Sequence, residues 1–239
     1  MSINKKGTID LYEEMHNNDI SYGTSSVEFL SELCLVIDYL KPKVVLDYGC
    51  GKGILITRLK EIYPGIEFYG YDPAIEQRKI LPVEKADLVI NTDVLEHIPE
   101  ESLPDVIKQI ANISTKVFFN LHHALAAAIL QNGENAHCTV KPPFWYYNLF
   151  KDYFPSLTFL DGHEKWNTVV LTFPVHASFI QSYYKYLQAR SNILSESIKI
   201  RDKICLYAYK KLIHKKGSYI KSKLEKRLKR KQIIPLFND

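Results

Sequence analysis

Cysteine is scarce in this sequence: Cys34, Cys50, Cys138 and Cys205 are the only four, and none forms a C-x-x-C pair. That excludes a disulfide framework and leaves no thiolate zinc site, so a reducing, cytoplasmic compartment is expected. No stretch approaches the roughly 18 apolar residues that span a bilayer. The opening residues MSINKKGTIDLYEEMH lack the apolar core of a signal peptide, so neither export by that route nor integral membrane insertion is expected. Glycine and proline, 10 and 11 in 239 residues, are too few for a collagen-like or low-complexity chain, and no internal repeat is visible. What remains is 46% hydrophobic and 24% charged, enough for one sizeable α/β core with an extension.

The formal net charge of +4 hides two opposite parts. Residues 1–180 carry 15 Lys and Arg against 23 Asp and Glu, whereas residues 181–239 carry 16 against 4. An acidic body is therefore followed by a basic arm, suited to an anionic membrane face, an acidic partner or RNA. Stepping four and three residues from Ile180 through Tyr184, Leu187, Ser191, Leu194, Ile198, Arg201, Cys205, Ala208 and Leu212 gives a mostly apolar helical seam. Gly217 breaks it before the very basic KSKLEKRLKRK. Such a seam suits self-association, and the charge suits docking at the inner membrane face.

Within the body, apolar residues at helical spacing over 26–40, with Ser25 or Ser26 as N-cap, predict a helix that ends before Pro42. Strand-like runs follow at 43–48, 66–71, 87–92 and 116–121, with helix-compatible segments at 53–63 and 100–113. That alternation is the signature of a mainly parallel sheet. Residues 157–161 and 167–173 flank the polar DGHEKW as an antiparallel pair would. The expected division is a cap and helix over 1–40, a core over 41–175 and a basic helical tail over 176–239.

The most informative stretch is Asp47-Tyr48-Gly49-Cys50-Gly51-Lys52-Gly53, directly after a strand and before a helix. A tight turn approached closely by a ligand needs glycine. The spacing chooses among ligands: G-x-G-x-x-G would need glycine where Ile54 stands, and a P-loop would need Ser or Thr where Gly53 stands. Asp47 is wrong for pyrophosphate but suits a cationic amino group. Asp72, at the end of the second strand, can accept from both ribose hydroxyls. An amino acid joined to a ribose describes S-adenosylmethionine.

DYGCGKG, YGYDP and ADLVINTDVLEHIP together resemble the three main cofactor motifs of class I S-adenosylmethionine-dependent methyltransferases, over about residues 40–120. The resemblance implies a Rossmann-like sheet in the order 3-2-1-4-5-7-6 with strand 7 antiparallel, and S-adenosylhomocysteine as product. It implies cofactor contacts from Asp47, Tyr48, Gly49, Cys50, Gly51, Asp72, Pro73, Ala74, Ile75, Thr92, Asp93 and Val94. Residues 73–86 are too few for the usual helix, edge strand and second helix, since one βαβ unit takes about 30 residues. Edge strand 3 is therefore expected to be missing or vestigial, leaving Pro73, Ala74, Ile75 and Glu84 to line the adenine side. Tyr12, His16, Tyr22 and the run Gly23–Ser26 precede the first helix and are expected to cap the cofactor.

The methyl acceptor should sit among histidines. His97 follows the fourth expected strand of the family order, and His122 and His123 follow the fifth. His137 lies in the polar loop Gln131–His137, ahead of Lys141-Pro142-Pro143-Phe144-Trp145-Tyr146, a rigid aromatic wall. A hydroxyl acceptor needs a base and a phosphorus-bearing or carboxylate oxygen does not; His137 ranks first for that role, before His97, His122 and His123. The Asn-Ala-His loop and tryptophan helix resemble a bacterial methyltransferase branch associated with capsule or lipopolysaccharide pathways, implying a small glycan precursor or its phosphorus-bearing substituent as acceptor. D-x-x-E-H at 93, 96 and 97 with a later histidine also resembles the divalent-metal site of ubiquinone-pathway and small-RNA 2′-O-methyltransferases, with Asp in place of the first Glu. The rival expectations are an RNA 2′-O-methyltransferase with a basic RNA-binding tail and a scaffold that keeps S-adenosylmethionine without turnover.

Overall fold

In a computed structural model of the chain, residues 7–19 and 22–193 are described. Residues 1–183 form one compact unit, and a second begins at Tyr184. No helix among the described residues is long and apolar enough to cross a membrane.

The first unit is built on a six-stranded sheet in the order β2-β1-β3-β4-β6-β5. Its strands are β1 (Val44–Tyr48), β2 (Glu67–Tyr71), β3 (Leu88–Thr92), β4 (Val117–His122), β5 (Thr158–Asp161) and β6 (Asn167–Leu171). The first four strands pair parallel, while β6 runs antiparallel to both β4 and β5. β3 is buried along its whole length, and so is β4 except at His122, as expected of central strands covered on both faces. Around them lie α1 (Thr8–Asn18), α2 (Leu30–Leu40), α3 (Ile54–Ile62), α4 (Leu103–Ile113) and α5 (Pro143–Phe150). In α4 the spacing of Leu103, Ile107, Ile110 and Ile113 puts one apolar stripe on the sheet. Phe119 of β4 stacks on Phe150 of α5 at 4.6 Å, fixing that helix to the same buried apolar cluster that the α4 stripe joins.

The sheet order is the family order without its third strand. Between Asp72 and Leu88 the chain forms only a 3-10 turn, Glu76–Arg78, closed by Asp72 N–H donating to Arg78 O at 3.0 Å and Arg78 N–H to Ile75 O at 2.8 Å. β2 is consequently an edge strand. The chain leaves β1 for β2 on one side and returns to β3 on the other, so a crevice opens at the carboxyl ends of β1 and β3, where open α/β sheets bind ligands.

One expectation is corrected here. The helix over 26–40 has no serine N-cap: a 3-10 turn, Ser25–Phe29, runs into α2, and the Ser25 hydroxyl is used on Asp93 instead. In the helical stretch 177–193 Phe179 and Tyr183, four residues apart, turn inward, while Tyr184 of the seam is exposed. Phe179 packs on Tyr39 at 4.9 Å, and Tyr183 donates its hydroxyl to Asp161 O at 2.9 Å. The seam from Leu194 to Leu212, Cys205, Gly217 and the basic terminus lie outside the described residues.

Candidate active site

A cavity of about 1030 Å³ occupies the crevice, with the glycine loop on one side and the histidines on the other. Gly49 and Gly51 line it, at φ values of 88° and 50° that favour glycine. A Cβ on Gly49 would lie 2.3 Å from Val94, and one on Gly51 would lie 2.5 Å from Gly23 O. Gly51→Ala should therefore push the 22–24 segment off the loop and destabilise the fold by about 1–3 kcal/mol, measurable by chemical denaturation.

Asp72 is anchored in the loop: one carboxylate oxygen accepts from Gly51 N–H at 2.8 Å and the other from Ala74 N–H at 2.9 Å. Pro73 and Ala74 line the same wall. Tyr48 also faces the cavity, whereas Asp47 lies beneath the loop, buried, with neither oxygen hydrogen-bonded. Burial first, and the nearby Asp72 second, push the Asp47 carboxyl up to about 7, against the opposing pull of Arg78. Such an unpartnered acid under a glycine turn fits a ligand bearing an ammonium group, reached through the loop or a bridging water.

The segment before α2 roofs this half. Lys52 N–H donates to Gly23 O at 3.1 Å and Lys52 Nζ to Asp19 O at 2.6 Å, clipping the segment to the glycine loop. Tyr12 of α1 donates its hydroxyl to Ala136 O at 2.5 Å, closing the roof onto the 124–136 loop. His16 and Tyr22 complete the roof, ring against ring at 4.9 Å.

On the opposite side His97, His122 and His137 form a contiguous imidazole cluster. His137 lies 4.8 Å from His97 and 4.8 Å from His122, centroid to centroid. His97 donates Nδ1–H to Ala136 O at 2.8 Å, and His137 donates Nδ1–H to Ala124 O at 2.6 Å, a tautomer set by the carbonyl partners. Each ring therefore keeps Nε2 as a basic nitrogen. Burial lowers the His97 pKa to about 4 and lowers that of His137 as well, so both rings are neutral near pH 7.

Asp93 and Glu96 are the carboxyl groups of this half. Asp93 sits at φ 54°, and its carboxylate accepts from Asn120 Nδ2 at 2.7 Å. Glu96 is fully buried; neither oxygen completes a hydrogen bond, although the backbone amides of Val94 and Glu96 temper its charge. Burial first, then repulsion by Asp93, raise the Glu96 pKa well above the carboxylate range. His137 Nε2 stands 4.0 Å from Glu96 Oε1, and donor atoms of Glu96, His97 and His137 all lie within 4.8 Å of one another. Three donors with an open side fit a divalent cation. Asp93, the first residue of the metal-like motif, is outside that set and engaged with Asn120.

The cavity thus brings together Tyr12, Tyr22, Tyr48, Gly49, Gly51, Asp72, Pro73, Ala74, Asp93, Val94, His97, His122 and His137. Cys50, Ile75, Thr92 and His123 are not in its wall: Cys50 and Thr92 are buried, and His123 turns to Lys141 O at 2.8 Å. Glu84 is exposed and away from it. An apolar wall of Ile98, Val106 and Leu125–Ala128 went unread in the sequence, because its small side chains carry no chemical signal.

A mixed, mostly parallel Rossmann-like sheet with a glycine turn at its switch point and an acidic residue after β2 defines the methyltransferase class of α/β folds. The chain belongs to the methyltransferase domain family, whose model matches residues 27–152. No curated protein matches it in sequence. Among solved structures it is similar to an O-methyltransferase family protein from Burkholderia thailandensis (12% identity, TM-score 0.49, covering 68% of this chain and 59% of that one). It is also similar to a candidate O-methyltransferase from Nostoc punctiforme PCC 73102 (13%, TM-score 0.52, 72% and 64%) and to PigF with SAH (12%, TM-score 0.52, 72% and 63%). The chain thus spans 59% to 64% of the length of these structures.

Proposed function

We propose that the protein transfers the methyl group of S-adenosylmethionine to the oxygen of a neutral hydroxyl, releasing S-adenosylhomocysteine. The observation that carries this reading is that Asp72, hydrogen-bonded to the glycine loop, and the unbonded Nε2 of His137 border one cavity. The glycine loop holds the amino-acid end of the cofactor, Asp72 accepts from its ribose hydroxyls, and Ala74 lies against the adenine. The acceptor oxygen attacks the methyl carbon in line with the departing sulfur: an O–C bond forms, the S–C bond breaks, and the electron pair stays on sulfur. The hydroxyl proton passes to His137 Nε2, whose ring is held in place for the transfer by its Nδ1–H bond to Ala124 O at 2.6 Å.

A base among the reacting groups favours a hydroxyl over the phosphorus-bearing oxygen of a glycan precursor, and the apolar wall favours a small acceptor over RNA. The tail we assign to association, at an anionic surface or between copies, and not to the chemistry. The reading is tested by following methyl transfer from labelled S-adenosylmethionine to a panel of neutral sugar alcohols and glycosides as a function of pH. Because His137 must be neutral and burial lowers its pKa, the rate should be level at pH 7 and fall only below about pH 6.5. A limb centred above pH 7, or transfer to RNA alone, would overturn the assignment.

A second reading places a divalent cation on Glu96, His97 and His137, favoured by the two free Nε2 atoms around an unpartnered buried carboxylate. Bound there it would polarise the acceptor hydroxyl, and His137 would be a ligand and not the base. Dialysis against EDTA should leave activity unchanged if His137 is the base. Loss of activity restored by Mn²⁺ or Mg²⁺ would establish the second reading.

A further inference from the structure

The polar turn between β5 and β6 carries a side-chain cluster that the methyl-transfer reading does not use. Its His163 reaches back to α2. The side chain is only 3% exposed; its ring lies on Phe29 at 4.6 Å and donates Nδ1–H to Glu32 Oε1 at 3.0 Å. Glu32 stands in the first turn of α2 and is fully buried. An ionised carboxylate can only accept, so the proton stays on Nδ1 and Nε2 presents a lone pair. That lone pair meets no hydrogen-bond donor among the described residues. It faces another acceptor instead, Glu28 Oε2, at 3.7 Å. Glu164 completes the cluster: one donor atom each from Glu28, His163 and Glu164 lie within 4.8 Å of one another. The ammonium group of the neighbouring Lys165 is turned onto the Trp166 ring, 4.3 Å from its centroid.

We propose that Glu28, His163 and Glu164 bind a divalent transition-metal ion of the zinc type, which fastens the β5–β6 turn to the start of α2. Two acceptors held face to face call for a cation between them, and these are the right two. One imidazole nitrogen and two carboxylate oxygens form a donor set that zinc accepts, with a further position left to water. Ligand atoms about 2.0–2.2 Å from one tetrahedral ion stand roughly 3.3–3.6 Å apart. The 3.7 Å between His163 Nε2 and Glu28 Oε2 therefore needs almost no movement. Glu32 supplies what metal-bound histidines regularly have, a carboxylate on the other ring nitrogen that fixes the ring and strengthens it as a ligand. The two ligating carboxylates together balance a divalent charge. Because its ligands come from residues 28 and 163–164, the ion cross-links parts of the chain far apart in sequence. Glu28 shares its 3-10 turn with Ser25, whose hydroxyl is used on Asp93, so the fastening also holds one edge of the cavity. The site shares no residue with Glu96, His97 and His137.

The test is a calorimetric titration of Zn²⁺ into the untagged full-length protein, stripped with EDTA and then freed of it, beside thermal unfolding with and without the ion. Zn²⁺ should bind saturably and, at about 100 times its Kd, raise Tm by about 5–10 °C. His163→Gln and Glu164→Ala should each weaken that binding at least about tenfold and remove most of the rise. Glu32→Gln, which deletes no ligand, should weaken it by about 10- to 100-fold. His137→Gln, which breaks the other candidate cluster, should keep both the binding and the rise. Binding lost in His137→Gln and kept in His163→Gln would place the ion at that other cluster and overturn the proposal. So would the absence of saturable binding, which would mean that a proton on Nε2 is all that Glu28 meets. If His163→Gln fails to fold, Glu164→Ala decides, because its side chain is exposed.

Discussion

Asp72→Ala should weaken S-adenosylmethionine binding by at least about 100-fold, or roughly 2.7 kcal/mol, in a calorimetric titration. The size follows from what the carboxylate does in the absence of ligand. It holds Gly51 N–H at 2.8 Å and Ala74 N–H at 2.9 Å, so one side chain ties the glycine turn to the residue proposed to lie against the adenine. Removing it strands two buried amides, each costing about 1–3 kcal/mol when unpaired, and deletes the acceptor for the ribose hydroxyls. Asp72→Asn keeps one acceptor oxygen and should fall between the alanine variant and the wild type. Unchanged affinity in the alanine variant would mean that the ribose lies elsewhere.

His137→Ala should lower kcat by about 10²- to 10⁴-fold, the range for loss of a positioned base, while cofactor affinity stays within about threefold. The separation is expected because His137 belongs to the acceptor half: its Nδ1–H is spent on Ala124 O, and its Nε2 faces Glu96 and not the glycine loop. His122→Ala should have a smaller effect, since its Nδ1 is engaged locally with Ala124 and the ring meets the acceptor half beside His137. If His137→Ala left kcat intact while His122→Ala abolished it, the base would be reassigned within the same cluster.

The framework of this fold was legible because it depends on local patterns. The strand runs of Val44–Tyr48, Leu88–Thr92 and Val117–His122 are apolar enough to be central, and the short gap after Asp72 already precluded a third edge strand. The glycine turn was legible for the same reason, since Gly49 and Gly51 answer to backbone angle and close approach. Side-chain direction at strand ends was not. His122 and His123 are neighbours of one residue type, yet the alternation of β4 turns the first to the cavity and the second to Lys141 O.

Long-range closure was equally hidden. Tyr12 reaches Ala136 across 124 residues of sequence, and Gly23 lies on Lys52 only because α1 folds back over the glycine loop. Glu96 was readable as part of a metal-like motif, but the burial of its carboxyl oxygens without a completed hydrogen bond is a property of packing. The same holds for Asp47, which reads as the opening residue of a ligand loop and proves to lie underneath it.

The central claim is that the crevice between the glycine loop and the histidines is an S-adenosylmethionine site. Titrating S-adenosylmethionine into the wild-type protein and measuring heat tests it most directly. The account predicts saturable binding of one cofactor molecule per chain, competed by sinefungin. No binding, or binding that neither sinefungin nor S-adenosylhomocysteine displaces, would contradict it.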